Sequence, residues 1–234
     1  MRRSVSVAAL IAPALAAVLA PSAALSGAVP VANGIGTWEV PVESMTKMRF
    51  RSVVAQQYDF SCGSAALATL LTFHYGREVP ESVAFDGMFR VGDQETIRQQ
   101  GFSMLDMKRY LESEHGLAAD GFHVKLSDLK ELGVPGIVMI ETRGYRHFVV
   151  VKGVGDERVL VGDPAYGLRS YSHSEFEHML ANDIVFIVRD ELDTARRSFN
   201  DEGVWAAVAH APTEEAVPRP TLSSLTLHLP SYGW

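Results

Sequence analysis

Four short runs rich in valine and isoleucine, GIVMIET, HFVVVKGV, ERVLVGD and DIVFIVR, follow one another between Gly136 and Arg189, bounded by Gly, Pro and Asp. Runs of this length and make-up suit a pleated, largely buried surface, so each predicts a strand. The preceding part of the chain carries a different period. SCGSAALATLLTFHYG sets Ala65, Ala66, Leu67, Leu70, Leu71 and Phe73 along a helix that begins near Cys62 and stops at Gly76. MLDMKRYLESEHG has the spacing of an amphipathic helix ending at Gly116, with Ser103 and Asp106 resembling its N-terminal cap. A further short helix is expected from Ser127 to Leu132, and HSEFEHML supplies a helical turn before the last strand. Helices first and a mostly antiparallel sheet afterwards make an α+β layout.

The segment MRRSVSVAALIAPALAAVLAPSAALSGA places Arg2 and Arg3 before an uncharged run from Val5 to Leu19, and small residues cluster from Ser22 to Ala28. That pattern predicts a secretory signal peptide, cleaved after Ala24 or Ala28. The run is shorter than the roughly 20 residues of a spanning helix, and Pro13 interrupts it. The expected organisation is a signal peptide over 1–28, a domain over 36–190 and a Pro-rich tail over 191–234. The protein is expected to be periplasmic or secreted, touching a membrane only if the signal segment stays uncleaved. A net charge of −7 argues against nucleic-acid partners. No Walker-type loop or dinucleotide fingerprint is present in the sequence, which removes ATP and nicotinamide chemistry.

Cys62 is the only cysteine, so an intrachain disulfide and a multi-cysteine zinc site are excluded. It stands at the first turn of its predicted helix, where free N–H groups and the helix dipole favour a thiolate. Gly63 and Ser64 leave room beside it for a carbonyl. A nucleophilic thiol needs a base, and His147 is the histidine that geometry selects. It opens the strand HFVVVKG, while Asp163 closes ERVLVGD. A hairpin symmetric about Gly155 sets the two directly opposite each other, on one face with Val149, Val151, Val159 and Val161. There the carboxylate would accept from one imidazole nitrogen and aim the other at the sulfur. Oxyanion donors would be the Cys62 N–H and the side chain of Gln56, with Gln57 as the neighbouring alternative. His74 lies about three helical turns beyond Cys62, too far to be its base. His173 and His178 are five apart and do not share a helical face, so no metal is expected.

The segments QQYDFSCGSAAL, RHFVVVKGV and VLVGDPAYG resemble the bacteriocin-processing, or double-glycine, cysteine peptidases, a papain-like group, over roughly Val53 to Val188. The resemblance implies a papain-like α+β fold in which the cysteine helix packs on an antiparallel sheet. It implies Cys62 as nucleophile, His147 as base, Asp163 as its orienting partner and Gln56 as the oxyanion glutamine, with no cofactor. The best-known members are domains of peptide-exporting transporters. This chain is more similar to stand-alone, exported members, including those encoded beside functional-amyloid secretion machinery. The implied activity is an exported endopeptidase that processes a secreted or periplasmic polypeptide, including amyloid-like ones, through a thioester acyl-enzyme. Two other readings use the same cleft: a non-catalytic peptide-binding or secretion-accessory module, and a papain-like cell-wall amidase or transglutaminase. Retention of all four positions favours chemistry over binding, and the upstream Gln with the Asp-Pro-Ala segment favours peptides.

Overall fold

The computed structural model describes residues 28–33, 36–41 and 44–208. The expected signal segment lies almost wholly outside those residues, as does the C-terminal LTLHLPSYGW. Two units are distinguished, residues 1–43 and 44–234. In the first, β1 (Ala28–Asn33) and β2 (Gly36–Pro41) form an antiparallel pair. The second begins with five helices: α1 (Met45–Arg49), α2 (Cys62–His74), α3 (Glu81–Val91), α4 (Gln94–Gln100) and α5 (Met104–Tyr110). A π turn over Leu111–His115 extends α5 to Gly116. Then come β3 (Ala119–His123), α6 (Leu126–Leu132), β4 (Gly136–Thr142), β5 (Tyr145–Val154), β6 (Arg158–Asp163) and β7 (Gly167–Ser172). Next are α7 (His173–Met179), β8 (Leu180–Val188), α8 (Leu192–Ser198) and α9 (Glu202–Ala206).

Strands three to eight form one sheet in the order β3-β8-β4-β5-β6-β7, antiparallel throughout. Helices pack on it, with α2 against β5, which is the α+β, papain-like layout. Alanines and leucines without a charge let α2 bury 11 of its 13 residues, so it is a central helix rather than an amphipathic surface one. Thr69 ties the upstream segment to it, its Oγ1 accepting from the Val54 N–H at 2.9 Å and donating to the Ala65 carbonyl at 2.8 Å. The strands β3 and β7 were not expected, because ADGFH and GLRSYS hold almost no β-branched residues. Among the described residues no helix is long and apolar enough to cross a membrane.

The β5–β6 register differs from the hairpin symmetric about Gly155. Val150 faces Gly162 and Val151 faces Val161, while an irregularity between Val151 and Gly153 leaves Val154 facing Val159. The bulge absorbs one residue, and beyond it the pairing is offset by two. Side chains alternate with a period of two, so this offset keeps His147 and Asp163 on one face as diagonal neighbours instead of directly opposed ones.

Packing also continues past residue 190. Ala195 and Phe199 are buried, and the Asn200 N–H donates to the Lys152 carbonyl at 3.0 Å. The few apolar residues of LDTARRSFNDEGVW are too sparse among charges to show a period.

This docking closes over a polar chain inside the core. Ser198 Oγ donates to the Ala195 carbonyl at 2.9 Å and lies 2.7 Å from His74 Nδ1. His74 Nδ1 therefore carries the hydrogen, and Nε2 accepts from Lys152 Nζ at 2.9 Å. Lys152 and His74 are each 2% exposed. Burial pushes the Lys152 amine from 10.5 down to about 7, with the Asp201 carboxylate opposing, and burial with the Lys152 charge holds His74 well below 6.5. Between pH 7 and 10.5 the unfolded chain holds a proton on this lysine that the folded chain has released, so stability rises with pH across that window. Below pH 6.5 the neutral His74 adds a further loss. Lys152→Met is expected to flatten the rise of stability towards pH 10, while leaving His74 Nε2 without its donor costs about 1–3 kcal/mol. Urea unfolding at pH 7 and pH 10 measures both effects.

Candidate active site

Cys62 opens α2 and is 8% exposed. The chain turns into the helix through Phe60, whose backbone is left-handed at φ 63°, a region that costs a bulky residue free energy. Ser61 secures the turn: its Oγ donates to the Tyr58 carbonyl at 2.8 Å and accepts from the Tyr58 N–H at 3.3 Å. The Ser61 side chain makes no capping hydrogen bond to the first N–H groups of α2.

His147 lies near the start of β5, and Asp163 ends β6. Both are buried, with His147 Nε2 and Asp163 Oδ2 3.1 Å apart. The other carboxylate oxygen accepts from the N–H groups of Ala165 at 2.8 Å and Tyr166 at 3.1 Å. The segment Asp-Pro-Ala-Tyr-Gly thus forms a turn that its own aspartate holds. Gly167 closes it at φ +81°, where a Cβ would sit 2.8 Å from the Arg49 carbonyl oxygen, so only glycine fits without displacement. A carboxylate accepts only, so the hydrogen is assigned to Nε2 and Nδ1 keeps its lone pair. That Nδ1 is buried without a hydrogen-bond partner. Tyr145 stacks on the imidazole at 5.7 Å between ring centroids, fixing its plane.

Cys62 and His147 line one cavity of about 290 Å³, walled by Phe60, Phe102, Tyr145 and Phe148. Burial pushes the Cys62 thiol up, and the Asp163 charge adds to that. The backbone N–H groups of Phe148, Gly63 and Cys62 act the other way. The donors expected at the helix start do favour the thiolate, but desolvation outweighs them. Burial thus tilts the sulfur towards its protonated form, and a base is needed to draw the proton off.

The structure brings together Cys62, His147 and Asp163. It places Gln56 differently. The Gln56 N–H donates to the Pro164 carbonyl at 3.0 Å, so its main chain is fastened to the Asp163 turn. Its side chain is half-buried and does not line the cavity, and Gln57 is exposed. The Phe148 N–H beside the sulfur had not been singled out, although it follows directly from the position of His147. The aromatic walls had a signal too, since Phe60 and Tyr145 lie within two residues of Cys62 and His147. Among the described residues, no group of three or more His, Cys, Asp and Glu side chains could hold a metal ion.

Residues 51–191 match the model of the Peptidase C39 family. A protein of Pseudomonas aeruginosa named "Probable functional amyloid protease FapD" is 46% identical over 159 residues, covering 68% of this chain and 70% of that protein. Its namesake in Pseudomonas fluorescens is 45% identical over 152 residues, covering 64% of this chain and 66% of that protein. Among solved structures, a double glycine motif protease from an AMS/PCAT transporter, in complex with the leader peptide, is 26% identical. It covers 58% of this chain and 89% of its own, with a TM-score of 0.48. The peptidase domain of Streptococcus ComA is 20% identical, covering 58% and 96%, with a TM-score of 0.49.

Proposed function

The chain belongs to the peptidase C39 family of cysteine peptidases, and from that premise we propose that it is an exported endopeptidase that processes a secreted, amyloid-forming polypeptide through Cys62, His147 and Asp163. The observation that carries this reading is the imidazole itself. Its Nε2 is engaged by Asp163, its Nδ1 is buried and unpartnered, and His147 and Cys62 line one cavity.

His147 Nδ1 takes the proton from Cys62 Sγ as the sulfur attacks the scissile carbonyl carbon. The Cys62 N–H and the Gln56 side-chain amide receive the oxyanion, the latter by turning into the cleft from its anchored main chain. The tetrahedral intermediate collapses, the C–N bond breaks, and the leaving amine takes the proton back from Nδ1. The resulting thioester is hydrolysed when Nδ1 draws a proton from water and the hydroxide oxygen bonds to the acyl carbon. Sγ departs and is reprotonated. Asp163 keeps its charge and holds Nε2–H throughout.

The amyloid substrate is supported by the names of the two Pseudomonas relatives, and export by the signal-like first 28 residues. The test is incubation of the purified chain with the functional-amyloid precursor of its own genome, read by mass spectrometry of the products. One discrete cut, lost after iodoacetamide treatment, is the expected outcome. An intact precursor, with cleavage of peptidoglycan fragments instead, would overturn the peptidase reading.

A further inference from the structure

A second cavity, of about 600 Å³, lies along β7, the terminal strand of the sheet. Three arginines from different elements line it: Arg49 at the end of α1, Arg158 at the start of β6 and Arg169 within β7. None of the three forms an ion pair among the described residues, whereas Arg77, Arg90 and Arg146 all hold a glutamate. Two are nonetheless fixed in place. Arg158 Nε donates to Ser170 Oγ at 3.1 Å and its Nη2 to the Ser170 carbonyl at 2.7 Å. Arg169 lies over the Tyr166 ring at 4.7 Å and donates through Nη1 to the Tyr171 hydroxyl at 3.3 Å. The three guanidinium groups outnumber the single carboxylate of the lining, that of Glu175, which gives the cavity a preference for anions.

The register relates this cavity to the catalytic turn. Asp163 faces Gly167, Val161 faces Arg169 and Arg158 faces Ser172, so Arg49 abuts the turn at Gly167, and Arg169 and Arg158 lie along the two strands that lead away from Asp163. At about 3.3 Å per residue they lie roughly 7–17 Å from it, a span that an extended polypeptide crosses in a few residues. β7 pairs only with β6 among the described strands, and the end of α1 packs against its start at Gly167.

We propose that this cavity is an exosite for an acidic stretch of the polypeptide substrate, whose carboxylates pair with Arg49, Arg158 and Arg169. The occupant is a peptide, because Leu168 and Tyr171 give the cavity apolar walls that suit side chains beside the carboxylates. The proposal rests on the peptidase reading for its purpose, and its test does not depend on cleavage.

The test uses the full-length chain carrying Cys62→Ala, with a fluorescein-labelled extended peptide bearing alternating glutamates and its glutamine counterpart, followed by anisotropy. The glutamate peptide is expected to bind at least about tenfold more tightly than the glutamine peptide. That preference should weaken steeply with added salt and vanish in the Arg49→Gln/Arg169→Gln variant. Equal binding of the two peptides, an unchanged affinity in the double variant, or displacement by inorganic phosphate at the peptide's own concentration would overturn the exosite. The salt dependence of the parent chain gives a readout that needs no arginine variant to fold. Binding without any cleavage of the amyloid precursor by the unsubstituted chain would sink the peptidase reading and leave the acidic-peptide site standing.

Discussion

Cys62→Ala is expected to reduce cleavage to background, a loss on the order of 10⁶-fold in kcat, as when a catalytic nucleophile is removed. The fold should survive. The sulfur borders a cavity at the start of α2, and the helix is held by Ala66, Leu67, Leu70 and Leu71 in the core. Trimming one atom at such a border costs on the order of 1 kcal/mol or less. A mass-spectrometric cleavage assay and a thermal melt on the same preparation separate the two effects. Cleavage of the natural substrate by this variant would end the thiol mechanism, because it is the only sulfur nucleophile the chain has.

Asp163→Asn is expected to leave the fold and substrate affinity near those of the parent while lowering kcat by about 10²–10⁴. The reason is specific to this turn. Asp163 uses one oxygen to accept from the Ala165 and Tyr166 N–H groups and the other to face His147 Nε2. An asparagine has a single acceptor oxygen. Satisfying the turn turns its NH₂ towards the imidazole, so Nε2 must accept and the ring hydrogen moves to Nδ1. An Nδ1–H facing the sulfur cannot take the thiol proton. Steady-state kinetics on the precursor separate kcat from KM. A variant with parental kcat would show that the tautomer is not set by Asp163.

Much of the candidate site was legible because it is written in local patterns. Apolar spacing announced the helix that begins at Cys62, and Val-rich runs bounded by Gly and Asp announced the strands bearing His147 and Asp163. Even the face shared by His147 and Asp163 was correct, although the register was not. Alternation of side chains tolerates an error of two, and the bulge between Val151 and Gly153 falls where the distant Asn200 N–H donates to the Lys152 carbonyl. Lys152 itself carried a signal, as the one cation inside the run HFVVVKGV, but its partners His74 and Ser198 come from α2 and α8.

The amino-acid order by itself determined the α+β layout, the helix that presents Cys62 and the strands that carry its partners, since these follow from propensity and periodicity over neighbouring residues. Only the tertiary structure decided that the thiol is buried, and that the Gln56 main chain is anchored at the Asp163 turn while its side chain stays outside the cavity. It alone gathered Arg49, Arg158 and Arg169 on one cavity. Desolvation and charge proximity depend on groups far apart along the chain, and no local pattern encodes which of them will meet.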